Sequence, residues 1–376
     1  MKFKDTRGEQ SQKPVIFISA GEASGDQHGA GVARELKKRI PSVRLLGLGG
    51  DLMQAEGVEL LAGLDELAVM GIREVFKKLP FFIRLHWQAT KLFKEENVQL
   101  VIPIDYPGFN LRLARSAHRQ GRRVLYFIAP QVWAWKEARS KLLARVCDRV
   151  LTVLPFEKEF LERRGVSSDF VGHPLLDHIP DIALQPPGPT KESPVIGLFP
   201  GSREQEVRLM LPVFTEAAKL IQRRHPKLEF LVARPSNISQ NLYEACGLPT
   251  ASSQETRKLA QCALTKSGTI TLELALAGVP MVVGYRTTPF EFALARRLIR
   301  VPSITLVNLV AGEPIVPEFI QDQMTPQRLA DALEPLLEPG TPEHVTMTRN
   351  FHGLRKQLGV PGAVARVTDH ALGLLE

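Results

Sequence analysis

Cysteine is scarce in this chain of 376 residues. Cys147, Cys246 and Cys262 lie far apart and show no C-x-x-C spacing, which argues against a disulfide framework and against a structural zinc site. No run of 18 apolar residues occurs, and the polar start of the chain lacks the apolar core of a signal peptide. We therefore expect a protein of the reducing cytoplasm with no membrane-spanning segment.

Acidic residues are in deficit, since 40 Asp and Glu face 48 Lys and Arg, for a net charge of +8. Such a charge attracts nucleic acid, a phospholipid surface or a phosphorylated substrate. The arginines are scattered over several predicted helices, and no recognised nucleic-acid-binding module surrounds them. We therefore do not expect a nucleic-acid partner.

Short apolar runs alternate with helical patterns along the chain, as at Val15–Ser19, Gly29–Arg39 and Leu45–Leu48. This rhythm predicts βαβ units, and hence an α/β fold of two Rossmann-like parallel-sheet domains with a cleft between them. The proline-rich segment 185–194 is predicted to link the domains, because proline lacks the amide donor that helices and central strands need. The predicted divisions are a tail at 1–13, an N-terminal domain at 14–184, the linker, a C-terminal domain at 195–343 and terminal helices at 344–376.

Ligands of such sheets bind beyond the carboxyl ends of the strands, so the loops there are the candidate sites. The first loop, Ser19–Asp26, predicts a helix with Ser24 as N-cap and Gln27 three residues later. Its carboxylates, Glu22 and Asp26, are expected to bind sugar hydroxyls or accept a proton. A plain strand-to-helix turn is the alternative.

The second domain has two comparable turns. In Val195–Arg203, Ser202 is the predicted N-cap, and Arg203 is either a bidentate ligand of a diphosphate or an exposed turn residue. In Thr265–Glu273, a second helix start follows a strand, and Glu273 either accepts hydrogen bonds from ribose hydroxyls or complements the helix dipole. A further predicted strand, Ile304–Asn308, would bring the Asn308 amide to a base edge.

Three other residues follow predicted strands of the first domain. Asp105 comes directly after an apolar strand that ends at Ile104. Trp133 and Trp135 lie two apart, so in extended chain they would share one side and form a wall facing lipid or sugar. Buried packing is the ordinary alternative for both tryptophans.

The stretch from Val69 to Phe93 mixes large apolar side chains with lysine and arginine. It is too short and too charged to span a bilayer, but it suits an interfacial surface that meets acyl chains and lipid phosphates. An amphipathic core helix is the alternative. The apolar residues predicted to contact acyl chains are Val69, Met70, Ile72, Val75, Phe76, Leu79, Phe81, Phe82 and Ile83.

Metal binding is not predicted. His173 and His178 lack the spacing of a helical zinc pair, and the chain has no D-x-D motif of the kind that holds a divalent ion on a sugar diphosphate. If the substrate is a sugar diphosphate, cationic and amide groups of the chain must then stabilise the diphosphate as it leaves.

Seven short motifs, in this order, resemble those of lipid-A-disaccharide synthases from about residue 14 to the C-terminus. They are GEASGD at 21–26, VMG at 69–71, VWAW at 132–135, GHP at 172–174, PGSR at 200–203, SGT at 267–269 and PE at 317–318. The resemblance implies a GT-B fold and an inverting transfer of 2,3-diacylglucosamine from its UDP derivative to the 6-hydroxyl of 2,3-diacylglucosamine 1-phosphate, lipid X. It further implies no cofactor, peripheral binding to the inner face of an anionic membrane, and a homodimer that exchanges C-terminal segments. The helices at 344–376 would then pack on the N-terminal domain or on a partner chain.

The resemblance also assigns residue roles. The UDP ligands would be Ser202, Arg203, Gly268, Thr269, Glu273 and Asn308, and the donor sugar would be faced by Glu22, Ser24 and Asp26. Three positions depart from the family pattern: Gly108 stands where many relatives have Asp, Lys266 replaces a small residue, and Val307 replaces a proline. The hypothesis for the general base is Asp105 or Asp26, with UDP leaving toward Arg203.

Two rival functions remain open at this point. A UDP-sugar 2-epimerase would share the fold and the nucleotide site but would need no lipid surface. A catalytically inactive lipid- or nucleotide-binding protein is suggested by Gly108.

Overall fold

The structure, a computed structural model, describes residues 13–67, 72–135, 137–179, 194–236, 238–298 and 301–376. The chain divides into two compact units. The first ends at Pro174 and takes up Gly362–Glu376, and the second is Leu175–Pro361. The division therefore falls ahead of the predicted linker at 185–194, of which residues 185–193 lie outside the described ranges.

The first unit contains a seven-stranded sheet in which every neighbouring pair is parallel, with the order β3-β2-β1-β4-β5-β6-β7. Its central strands are buried on both faces, as their continuous apolar sequences require. The strands are β1 (Val15–Ala20), β2 (Arg44–Gly49), β3 (Glu59–Gly63), β4 (Leu100–Ile104), β5 (Arg123–Phe127), β6 (Arg149–Thr152) and β7 (Ser168–Phe170).

Helices cover this sheet and pack on its core, where the Phe17 and Phe93 rings meet edge to face with centroids 5.1 Å apart. The helices before Pro174 are α1 (Ala23–Arg39), α2 (Asp51–Ala55), α3 (Leu64–Leu67), α4 (Ile72–Glu95), α5 (Pro107–Arg119), α6 (Arg139–Val146) and α7 (Pro155–Glu162). The last helix of the chain, α17 (Ala363–Gly373), packs against α1 and belongs to this unit.

The second unit repeats the plan with a six-stranded parallel sheet of order β10-β9-β8-β11-β12-β13. Its strands are β8 (Val195–Phe199), β9 (Glu229–Ala233), β10 (Thr250–Ala251), β11 (Cys262–Lys266), β12 (Met281–Tyr285) and β13 (Glu318–Ile320). Its helices are α8 (Leu175–His178), α9 (Glu204–Arg224), α10 (Asn241–Glu244), α11 (Ser253–Leu259), α12 (Thr269–Leu276), α13 (Pro289–Leu298), α14 (Leu306–Ala311), α15 (Pro326–Leu333) and α16 (Pro342–Gln357).

Both sheets reverse their strand order at one point, between β1 and β4 in the first unit and between β8 and β11 in the second. The crossover helices leave in opposite directions there, so a crevice opens beyond the carboxyl ends of the two strands. The prediction of two Rossmann-like parallel-sheet domains is confirmed, and these two switch points are where the functional side chains are sought.

Two sequence-based expectations differ from the structure. The strand predicted at Ile304–Asn308 is wrong, because Thr305 caps a helix there by accepting a hydrogen bond from the Asn308 amide (3.2 Å). The terminal segment 344–376 does not pack as one block. Helix α16 packs on α12 and α14 of the second unit, whereas α17 packs on the first.

Candidate active site

Asp105 stands at the first switch point, directly after β4. Its φ angle is 43° and that of Tyr106 is 48°, in the left-handed region that non-glycine residues rarely adopt. Backbone strain of this kind persists only where surrounding contacts enforce it, and it is common at functional sites. The conformation brings the Tyr106 ring against Gly21, where an added Cβ would lie 2.4 Å from ring atoms.

Asn110 provides contacts that enforce this turn. Its side chain is fully buried, and its Nδ2 donates to the carbonyl oxygens of Ser19 (3.1 Å), Ile104 (3.0 Å) and Asp105 (2.9 Å). Its Oδ1 accepts from the Ser19 hydroxyl (2.7 Å). One amide therefore ties the ends of β1 and β4 together. Asn110 was not predicted as a site residue, because its partner Ser19 lies far away along the chain and leaves no local signal.

The Asp105 carboxyl group remains in contact with solvent, but protein atoms restrict the water around it. This partial dehydration, with the negative charge of Glu22 adding to it, raises the pKa of Asp105 to about 6. Glu22 is exposed directly before α1, and its charge acts on Asp105, so the structure brings these two carboxyl groups near each other. A carboxyl group that titrates near neutral pH suits general acid–base catalysis.

Asp26 does not have the predicted role in binding the sugar or accepting a proton. Its carboxylate is buried and accepts hydrogen bonds from the amides of Gly50 (2.7 Å), Leu52 (3.1 Å) and Met53 (3.1 Å), at the start of α2. Ser24 was also misassigned, since the N-cap of α1 is Glu22 and Ser24 is an exposed residue of the first turn. Asp26 is thus a structural cap, and Asp105 is the remaining candidate for the base.

The two tryptophans do not form a common wall. Residues 131–135 make a turn rather than extended chain. Trp133 packs edge to face on Phe156 and donates from Nε1 to Glu157 Oε1 (2.9 Å), while the Arg139 guanidinium lies over the Trp135 ring. Burial raises the pKa of Glu157 to about 7, although the Trp133 hydrogen bond acts in the opposite direction.

The predicted acyl-contact residues separate into different environments. Leu79 and Ile83 are 47% and 62% exposed, whereas Phe81 and Phe82 are half-buried and pack against the core of the first unit. The prediction is therefore wrong for Phe81 and Phe82. Val69 and Met70 lie outside the described residues, as do the side chains of Ile72, Val75 and Phe76.

At the second switch point, the helix start after β8 is occupied by a carboxylate of the chain itself. Glu206 Oε2 accepts from the amides of Ser202 (3.0 Å) and Arg203 (3.3 Å). Gly201 has a φ angle of 132°, and a Cβ there would lie 2.6 Å from Glu206, so only glycine leaves room for this cap. The N-cap is Arg203 rather than Ser202, and Glu206 rather than Gln205 closes the turn. The amides predicted to bind an external anion are therefore taken.

The helix start after β11 has no such cap. No side chain in the described part of the chain caps α12 at Gly268, and Thr269 is exposed at its first position. Glu273, one turn further on, is half-buried with Arg257 Nε 3.7 Å from its Oε2. Burial raises the pKa of Glu273, and Arg257 opposes that shift. This end of α12 thus combines open amides with a carboxylate acceptor, as a nucleotide diphosphate and ribose require.

Asn308 does not read a base edge. Its side chain is buried within α14, where Nδ2 donates to the Val316 carbonyl (2.9 Å) and to Glu318 Oε1 (2.8 Å). Its Oδ1 accepts from the Val316 amide (2.9 Å). Glu318 also accepts from the amides of Ile304 and Thr305. Asn308 therefore organises the wall of a cavity of about 430 Å³ that extends from Pro302 to Glu318.

Neither a metal cluster nor a membrane span is found in the described ranges. No group of three His, Cys, Asp or Glu side chains there could hold a metal ion. None of the helices described is both long and apolar enough to cross a membrane. Burial lowers the pKa of His173 to about 4, so this imidazole is neutral near pH 7.

Solved structures with the same fold include glycosyltransferases and UDP-N-acetylglucosamine 2-epimerases. A calicheamicin glycosyltransferase superposes with a TM-score of 0.63 at 18% identity, covering 97% of this chain and 98% of that chain. A UDP-N-acetylglucosamine 2-epimerase from Neisseria meningitidis, bound to UDP-N-acetylglucosamine, superposes with a TM-score of 0.63 at 14% identity, covering 96% and 100%. The fold is therefore that of the GT-B class, to which glycosyltransferases and related epimerases belong.

Sequence comparison defines the family within that class. The sequence model of the lipid-A-disaccharide synthetase family matches residues 16–358. The lipid-A-disaccharide synthase of Geobacter sulfurreducens is 40% identical over 374 residues, which cover 96% of this chain and 97% of that protein. The chain belongs to the lipid-A-disaccharide synthase family.

The structural role of Asp26 predicts a loss of stability on its removal. Asp26→Ala should lower the free energy of unfolding by about 2–3 kcal/mol, because buried amides lose a charged acceptor. The measurement is urea unfolding of the full chain followed by circular dichroism. Glu22→Ala is the matched control. Removing this exposed carboxylate should change the free energy of unfolding by about 0.5 kcal/mol or less. Equal unfolding curves for the two variants would contradict the assignment.

Proposed function

We propose that this protein transfers 2,3-diacylglucosamine from UDP-2,3-diacylglucosamine to lipid X, with inversion, to give the β-1,6-linked disaccharide 1-phosphate of lipid A and UDP. The family relationship over nearly the whole chain supports this proposal most strongly. The second unit binds the donor nucleotide, and the first unit supplies the base for the acceptor hydroxyl.

The donor nucleotide is assigned to the open helix start of α12. The Thr269 amide and the Gly268 turn receive the diphosphate, the Arg203 guanidinium adds a bidentate donor, and Glu273 accepts from the ribose hydroxyls. Ser202 contributes to the turn that presents Arg203, since its own amide is used by Glu206. As UDP leaves, this positive end of the site stabilises the charge that develops on the diphosphate.

Asp105 is the proposed general base. It takes the proton of the acceptor 6-hydroxyl as that oxygen attacks the anomeric carbon in line with the departing UDP. The Asp that many relatives carry at position 108 is absent, yet Gly108 is exposed with no atom within 4 Å of an added Cβ. The space at the Gly108 Cβ position is therefore open.

We propose that the reaction needs no metal, because Arg203 and the amides of α12 supply the positive charge that a divalent ion provides elsewhere.

The epimerase alternative has only the shared fold in its favour, at 14% identity, whereas the family relationship is to disaccharide synthases.

The exchange of C-terminal segments also stays a prediction. In the single chain α17 packs on α1, and an exchanged helix would make the same contact with a partner.

A membrane-binding face is proposed on α4. Leu79, Ile83 and Trp87 are spaced four residues apart, so they form one stripe along the helix, and they are 47%, 62% and 59% exposed. Exposed cations flank the stripe at Arg84, Lys91 and Lys94. Apolar groups beside cations match the interface of an anionic leaflet, and this supports the proposed peripheral binding to the cytoplasmic face of the inner membrane.

The reaction itself is tested by mass spectrometry of the purified protein with UDP-2,3-diacylglucosamine, lipid X and EDTA. We expect a disaccharide 1-phosphate and UDP in equal amounts, with no product from either sugar alone. UDP-N-acetylglucosamine is the control substrate and should not yield its manno epimer. Epimer formation, or the absence of disaccharide both with and without EDTA, would overturn the proposed function. Disaccharide that forms without EDTA but not with it would overturn the metal-free mechanism.

The pH dependence tests the base. Transfer requires ionised Asp105, so turnover should fall as the pH drops through about 6. Glu22→Gln removes a neighbouring negative charge, which lowers the pKa of Asp105 and should move this acid limb to lower pH. Asp105→Asn should cut turnover by about a hundredfold or more, with UDP binding unchanged in calorimetry. An acid limb that stays in place in the Glu22 variant would contradict the assignment.

The membrane face is tested with the triple variant Leu79→Ser, Ile83→Ser, Trp87→Ser. Each change removes apolar area that would be buried in lipid, so cosedimentation with phosphatidylglycerol-containing vesicles should weaken by at least about tenfold. The control is Leu52→Ser, Val345→Ser, Val360→Ser, which changes three side chains that are also exposed but lie elsewhere. Equal sedimentation of the two triple variants would exclude α4 as the membrane-binding face.

A further inference from the structure

Lys266 lies between the two helix starts of the second switch point. It is the last residue of β11, the strand that pairs with β8, and its Nζ donates to Glu206 Oε1 (2.8 Å). The Lys266 side chain is only 15% exposed. Its ammonium group therefore neutralises the carboxylate that caps the Ser202–Arg203 turn.

The same ammonium group also reaches the open start of α12. A Cβ built on Gly268 would lie 3.1 Å from Lys266 Cε and 3.5 Å from its Nζ. An ammonium group has three donor hydrogens, and Glu206 accepts one of them. The remaining donors are available beside the amides at which a diphosphate is proposed to bind.

We propose that Lys266 is a direct ligand of the donor diphosphate and of the departing UDP, a role that rests on the proposed function. Glu206 pairs with the ammonium group until a diphosphate binds, and the ammonium group is then shared between carboxylate and phosphate oxygens. With Arg203, this gives the leaving group two cations from the chain itself.

A purely structural role for Lys266 makes a different prediction. If the lysine only held Glu206 on the turn, then loss of either partner would disturb Arg203 in the same way. If Lys266 binds phosphate, loss of the Glu206 charge frees the ammonium group for the phosphate and removes a negative charge that repels the ligand. The two partners of one ion pair should then have opposite effects on UDP affinity.

The experiment is isothermal titration calorimetry of UDP and of uridine with the full chain and its Lys266→Met, Glu206→Gln and Arg203→Ala variants. Lys266→Met and Arg203→Ala should each weaken UDP by at least about tenfold while leaving uridine unchanged. Glu206→Gln keeps an oxygen that can accept from the Ser202 amide, and it should bind UDP as tightly as the parent or more tightly.

Equal losses of UDP affinity in Lys266→Met and Glu206→Gln would overturn the proposal in favour of a structural role. Unchanged UDP affinity in Lys266→Met, or an equal loss of uridine affinity, would also overturn it. A parent protein that binds no UDP would refute the proposed function, and the role of Lys266 with it. That result differs from a parent that binds UDP and a lysine variant that binds it equally well.

Discussion

The Glu206 carboxylate determines which backbone amides at the second switch point remain for a ligand. By accepting from the Ser202 and Arg203 amides, it satisfies the helix start that follows β8 and fixes the turn that carries the Arg203 guanidinium. The positive end of α12 is left without a cap. We therefore propose that an external anion binds at the neighbouring helix start, to which the first turn contributes the Arg203 side chain rather than its amide.

The first unit follows the same division of labour. Buried polar side chains fix the backbone: Asn110 ties the ends of β1 and β4, and Asp26 closes the start of α2. Exposed groups on the resulting turns are left for chemistry, namely Glu22 and Asp105. Because protein atoms and Glu22 surround Asp105, its pKa is raised toward neutrality without full burial. The proposed base, Asp105, and the residues that fix its backbone are therefore distinct at this switch point.

Strand positions and sheet direction could be predicted from sequence because buried parallel strands are short, continuous apolar runs, as in Leu100–Ile104 and Met281–Tyr285. Their loops at the carboxyl edge follow from topology alone. Glu22, Arg203 and Thr269 were placed in such loops correctly for this reason. Family membership, read from seven ordered motifs, agrees with the matched region 16–358.

What the sequence could not decide was which of several adjacent polar residues makes a given hydrogen bond. Ser202 with Gln205 is the better local capping pattern, yet the structure uses Arg203 with Glu206, and Lys266, distant in sequence, favours the glutamate. Asn308 looked like a strand end because Thr305 was not recognised as a cap. Asp26 and Asn110 have partners on other strands and helices, so their structural roles depend on contacts that only the folded chain contains.

The most direct test of the central claim is amide hydrogen–deuterium exchange at single-residue resolution with and without saturating UDP. The account predicts that UDP, but not uridine, protects the amides at the start of α12, Thr269 above all. It also predicts little change at the Ser202 and Arg203 amides, which Glu206 already occupies. Protection centred on Ser202 and Arg203, with none at Thr269, would contradict the account.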